Sequence, residues 1–190
     1  KPDIQPKSNS TGRRSALAEW IASSDNPLTA RVITNRLWQH HFARGLVATP
    51  NDFGTLGGPP SHPELLDWLT SRFIEGGWKM KSIHRLIMTS ATYRQTARRE
   101  PGETEAVTDP DNRLLWRYPP KRLSAEQVRD AMLAASGELR HRDNGGSSAS
   151  GGEPVRSIYV KKLRNTPEEF LDCFDAPSGF DSAPERQMTN

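Results

Sequence analysis

The chain has 190 residues, with 26 Lys and Arg set against 23 Asp and Glu, for a formal charge of +3. That length suits one domain, or one domain with a tail. A single cysteine excludes an internal disulfide framework and any all-cysteine metal site, and no apolar run is long enough to span a bilayer.

Residues 1–11 are polar and carry two prolines, so they read as a linker. Both ends of the sequence read as cuts in a longer protein. The first predicted helix covers Arg13 to Ser23, with Ala16, Leu17, Trp20 and Ile21 on one apolar stripe. The second starts with a cap at Asn26 and Pro27 at the first helical position, and runs through Phe42 to a stop near Gly45. Leu28, Val32, Trp38 and Phe42 fall on one side of it, and Ile33 and Leu37 nearly opposite. A helix apolar on two sides is sandwiched between neighbours, so this is the expected central helix.

Leu46 to Pro60 is a loop rich in turn formers and longer than most connections, hence functional or held down by packing. Ser61 to Glu64 has the spacing of a capping box. The helix after it carries Leu65, Leu66, Trp68, Leu69, Phe73 and Ile74 and ends at Gly76-Gly77. A further helix over Met80 to Thr89 shows Met80, Ile83, Leu86 and Ile87 on one face and completes a helical hairpin. Glu100 to Pro120 reads as loop, with Leu114, Leu115 and Trp116 as a core anchor. Ser124 to Gln127 is a second capping box, and its helix ends at Gly137. His141 to Pro154 is low in complexity and expected to be flexible. Ser157 to Val160 has the composition of a short strand. Thr166 to Glu169 opens a last short helix holding Phe170, Leu171 and Phe174.

The expected fold is therefore mainly α: a single helical domain over residues 12–190, with five to six helices, long loops and at most one short strand. Arginine supplies 19 of the 26 cations, yet the positive clusters are only pairs and no helix carries a one-sided basic stripe. Nucleic acid is not an expected partner.

Candidate chemistry concentrates around the second helix. Asn35 and Gln39 share a face at i, i+4 and project among apolar residues, where unpaired amides are costly. They either hydrogen-bond the backbone of the following loop or floor a polar pocket beneath it. Arg36, His40, Asp52 and His62 complete the candidate set of Asn35, Arg36, Gln39, His40, Asp52 and His62. His40 and His41 are adjacent, so their side chains diverge by about 100° and cannot grip one ion together. No metal site is expected. Asp109 and Asp111 lack the glycine and distal glutamate of a calcium loop. Cys173 reads as a small core residue, and no nucleophile elbow, phosphate loop or haem-attachment motif is present.

Several stretches carry a resemblance: RRSALAEWIASSDNPLTARVITNRLWQHHFARGLVATPNDFG, PPSHPELLDWL, GGWKMKSIHRLIMTSATYRQ, DPDNRLLWRYPPKRLSAEQVRDAML and RSIYVKKLRNTPEEFLDCFDAP. In that order they resemble the planctomycete-type domain of unknown function found near the C-terminus of large exported proteins. The resemblance covers about Arg13 to Asn190. It implies a preceding second domain of unknown function, often a cytochrome-c-like module further upstream, export to the periplasm or cell surface, and a further helical segment beyond Asn190. It implies no catalytic residues. Any haem is expected in a neighbouring domain of relatives, so this chain is expected to hold no cofactor. The function expected is that of a helical structural or interaction module, with the upstream domain as partner and polysaccharide as a further candidate. The alternative is part of a redox or hydrolytic enzyme acting on polysaccharide.

Overall fold

The computed structural model describes residues 4, 6, 9–142, 146–163 and 169–173. Among these the fold is mainly helical, with seven α-helices, one 3-10 turn and no sheet. The chain divides into two compact units, Lys1–Pro120 and Lys121–Asn190. No helix of the described residues is long and apolar enough to cross a membrane.

The first unit holds α1 (Arg13–Ala22), α2 (Thr29–Phe42), α3 (Pro63–Glu75), α4 (Met80–Thr89) and α5 (Glu103–Thr108). Asn26 is buried and links α1 to α2. Its Oδ1 accepts from the N–H groups of Leu28 and Thr29, which fixes the turn leading into α2, while its Nδ2 donates to the Trp20 carbonyl. Helix α2 itself starts at Thr29 with Leu28 at its cap position, so Pro27 stands in the turn before the helix and not at its first position. Helix α2 packs on both α3 and α4, which pack on each other. This is the central position that its two apolar sides predict. The core is built from Leu37, Trp38 and Phe42 of α2, Leu66, Leu69 and Phe73 of α3, and Ile83 and Ile87 of α4. Each such side chain contributes about 1.5–3 kcal/mol on burial.

Helix α2 runs through Phe42 as expected, and its C-cap is Ala43, two residues before Gly45. Other local expectations are corrected in this unit. The Ser61 capping box does not form. The Ser61 hydroxyl lies 2.9 Å from His62 Nδ1, and His62 occupies the cap position of α3 with no side-chain cap bond. Residues 100–120 are not all loop, because α5 forms there. Its acidic first turn (Glu103, Glu105) suits a helix N-terminus. The α1 stripe forms, with Ala16 buried and Leu17, Trp20 and Ile21 facing solvent.

The second unit holds α6 (Ala125–Ser136), a 3-10 turn at Ser157–Tyr159 and α7 (Glu169–Asp172). The Ser124–Gln127 capping box is complete, and Gly137 ends α6 in the left-handed conformation. The expected strand at Ser157 to Val160 is the 3-10 turn instead. Asp130 Oδ1 accepts from both the N–H and the hydroxyl of Ser157, at 2.7 Å each. That double bond anchors the turn and overrides the β-branched composition.

Residues 146–154, low in complexity, are held rather than loose. The Arg129 guanidinium is buried and donates to the carbonyls of Gly151, Glu153 and Val155 at 2.7–2.8 Å. Isolated bridges pair Arg140 with Val155 and Ala149 with Val160. Thr166, at the expected start of the last short helix, and Phe174 lie outside the described residues, as do Lys1, Pro2 and Asp3 of the expected linker.

Candidate functional site

The six candidate residues resolve into loop supports and separate surface groups. Asn35 is fully buried, and its amide meets the Val47 backbone twice: Nδ2 donates to the Val47 carbonyl at 3.0 Å and Oδ1 accepts from its N–H at 2.9 Å. The loop after α2 is thus fastened to the helix by a neutral clamp that leaves neither amide group unpaired. Gly45 is required for this. A Cβ there would lie 2.6 Å from the Val47 carbonyl oxygen and 2.7 Å from Asn35 Nδ2.

Arg36 Nη2 donates to Asn51 Oδ1 at 3.0 Å on the exposed side of the same helix. Asp52 Oδ1 accepts from the Gly54 N–H, a local turn bond. The Thr49 hydroxyl donates to the Asp52 carbonyl and accepts from the Gly58 N–H. So Asn35, Arg36 and Asp52 all act on one loop. Gln39 is half-buried, His40 is exposed on the last turn of α2, and His62 is engaged by Ser61.

The histidine that the fold does use is His41. Its Nε2 lies 2.8 Å from His84 Nδ1 on α4. The ring centroids are 5.1 Å apart, which is the separation left when each nitrogen lies on the line joining the two rings. The nitrogens therefore face each other across an in-line hydrogen bond and do not converge on a third atom. The Tyr93 ring stands edge-on to His41 at 5.4 Å, and the Tyr118 hydroxyl donates to the His41 carbonyl at 2.8 Å. Burial pushes the Tyr118 hydroxyl above the ordinary tyrosine pKa, and neighbouring Tyr93 adds to the rise. Tyr118 thus stays a neutral donor. Residues 41 and 84 are 43 positions apart, and no spacing rule connects them; only the α2–α4 packing does. Among the described residues no group of three or more His, Cys, Asp or Glu side chains can hold a metal ion.

A cleft of about 80 Å³ opens on the other side of the loop root. None of the six candidates lines it. Trp38, Phe42, Leu46 and Leu115 form its apolar floor, and Arg44, Asp111 and Arg113 lie on its rim. Two polar side chains, Asp109 buried and Asn112 half-buried, shape that wall. The Asp109 carboxylate accepts from the N–H groups of Arg113 and Leu114 at 2.7 and 2.8 Å. The Asn112 amide clamps Arg117 as Asn35 clamps Val47, donating to its carbonyl and accepting from its N–H. The DPDN segment is therefore a turn scaffold. Its signal in sequence is the run of turn formers, while the cleft that it helps to line is a tertiary product.

The family model described as "Protein of unknown function (DUF1553)", PSD1, matches residues 13–190. The chain belongs to the DUF1553 family. No curated protein and no solved structure matches it. The DUF1553 match begins where α1 begins, and it covers the core of the first unit together with the whole of the second.

Proposed function

We propose that this DUF1553 chain is a helical interaction module of a large exported surface protein, and that it docks through α1 against a domain preceding it in the same polypeptide. The observation that carries the reading is the open face of α1. Leu17, Trp20 and Ile21 fall at i, i+3 and i+4 and are 50, 39 and 45% exposed. Three large apolar side chains in one stripe on a helix are a docking pattern, whereas single exposed apolar residues are ordinary. The use of Asn35, Arg36 and Asp52 to fasten a loop adds support, because a scaffold needs rigid loops. Export and the upstream partner follow from the family resemblance.

The test is hydroxyl-radical footprinting of Trp20 in this chain and in the polypeptide extended to include the preceding domain. Trp20 is expected to react several-fold more slowly in the longer protein, and Leu17→Asp with Ile21→Asp is expected to restore its reactivity there. Equal Trp20 reactivity in both proteins overturns the reading.

A further inference from the structure

We propose that the cleft between the end of α2 and the 111–119 segment is a second recognition site, which takes one aliphatic side chain of an acidic peptide segment. This site lies apart from the α1 face and does not depend on it.

The size of the cleft sets the first limit. Its 80 Å³ is about half of the ~150 Å³ of an apolar cavity that holds benzene. It admits one aliphatic side chain and leaves the rest of the ligand outside. The floor sets the second. Trp38 and Phe42 are only 6 and 2% exposed, stacked on each other with centroids 4.2 Å apart. With so little of either ring exposed, neither offers an open face. A sugar platform uses an open aromatic face, so the floor favours an inserted alkyl group over a stacked sugar.

The rim sets the charge. Arg44 and Arg113 are exposed and line the same opening, and neither guanidinium has a hydrogen-bond or ion-pair partner among the described residues. Two free guanidinium groups around an apolar notch match carboxylates flanking an alkyl chain. Asp111, also exposed, lies on the same rim and calls for a donor between the carboxylates. A peptide supplies that donor as a backbone N–H within a residue of its acidic side chains, which a fatty acid does not, while a sugar acid has the donor but no alkyl group for the notch.

The backbone adds an independent sign. Asn112 and Leu115 hold φ of 53° and 58°, a left-handed conformation that disfavours a branched residue such as Leu. Both line the cleft. Strain of this kind persists where the surroundings fix it, and it collects at binding sites.

The probe is a fluorescein-labelled peptide with one central leucine flanked by glutamates, titrated against the whole chain by anisotropy. Saturable binding is expected, weakening as salt rises. Replacing the leucine by alanine, or the glutamates by lysines, is expected to weaken it at least tenfold. Arg44→Ala with Arg113→Ala is expected to weaken it roughly tenfold. Both side chains are exposed, so the fold should survive, and an unchanged circular dichroism melt checks this. Leu17→Asp with Ile21→Asp is expected to leave it unchanged, which separates this site from the α1 face. No saturation at millimolar protein overturns the proposal, as does equal binding of the lysine peptide or undiminished binding by the double arginine variant. Displacement of the peptide by an equimolar glucuronate oligosaccharide also overturns it, in favour of a sugar-acid site.

Discussion

Two loops, one in each unit, are held by a single buried polar side chain, and they are held in different ways. The 46–60 loop is fastened by Asn35, a neutral amide making two hydrogen bonds to one residue, Val47. The 149–157 segment is fastened by Arg129, a cation reaching three carbonyls. The surroundings explain the choice. Around Asn35 lies a full aromatic and aliphatic core, with Trp38, Phe42, Leu66, Phe73, Ile83 and Ile87 buried. In the unit that holds Arg129 the buried apolar side chains, among the described residues, are Ala125, Ala149, Val155, Val160 and Leu171, which are smaller on the whole. Where apolar burial already fixes the helices, a short clamp settles only the register of the loop. Where it is thin, one long polar side chain gathers the backbone that a core would otherwise organise.

The largest expected effect follows from this contrast. Arg129→Ala leaves three carbonyls without their charged donor, at about 1–3 kcal/mol for each one left unpaired. Hydrogen exchange read at the amides of Ala149, Val160 and Lys161 is expected to lose most of its protection. Arg129→Lys keeps the charge but not the planar fork, so it recovers only part of the loss. Protection that survives Arg129→Ala would show that the small apolar side chains suffice, and the contrast between the loops would fail.

The next effect belongs to the amide clamp. Asn35→Ala strands the N–H and the carbonyl of Val47 in the core, at about 1–3 kcal/mol for each. A destabilisation of about 2–4 kcal/mol is expected in urea unfolding followed by tryptophan fluorescence. All five tryptophans lie in the first unit, so the signal reports on the region of the clamp. Asn35→Asp sharpens the point. A carboxylate can accept from the Val47 N–H but sets its second oxygen against the Val47 carbonyl, so it is expected to rescue little at neutral pH. A full rescue by aspartate would mean that only one of the two bonds matters.

Much of the first unit was legible because its signals are local. The Asn26 turn before α2, Ile83 and Ile87 on the face of α4 and the Gly76-Gly77 break each lie within a few residues, and the structure uses them, whereas Met80 and Leu86 of the α4 face stay exposed. Ser124 to Gln127 is local too, and its box forms. The same pattern at Ser61 fails because the hydroxyl has a closer partner in the His62 ring, and because the Ser61 N–H is engaged by the Leu46 carbonyl 15 residues back. Asn35 was legible as a buried amide in need of partners, and the loop fastening was the milder of its two readings. The His41–His84 bond and the Arg129 clamp were not legible. Each joins residues far apart in sequence, and nothing in the types His or Arg says which backbone will be near. The α1 stripe was legible as a stripe, but its exposure was not, because periodicity reports amphipathicity and not what covers the apolar face.

The smallest expected effect tests whether backbone strain at the end of α2 serves position or is incidental. Ala43 adopts φ 66° and ψ −32°, outside the usual regions for a residue with a Cβ. Glycine there removes a cost of about 1–3 kcal/mol and adds about 0.5–1 kcal/mol of unfolded-state entropy. Ala43→Gly is therefore expected to stabilise the chain by about 1 kcal/mol, read as a higher urea midpoint at unchanged slope. Ala43 directly precedes Arg44, and its turn sets the direction in which the chain leaves the helix toward the cleft. If alanine is kept there to stiffen that exit, the same variant should gain stability and lose affinity for the acidic peptide by a few-fold, since a freer turn leaves Arg44 less fixed. A gain in stability with unchanged affinity would place the strain in the helix end alone. The rim would then owe its geometry to the Asp109 and Asn112 wall, where substitution of Asn112 should carry the larger effect.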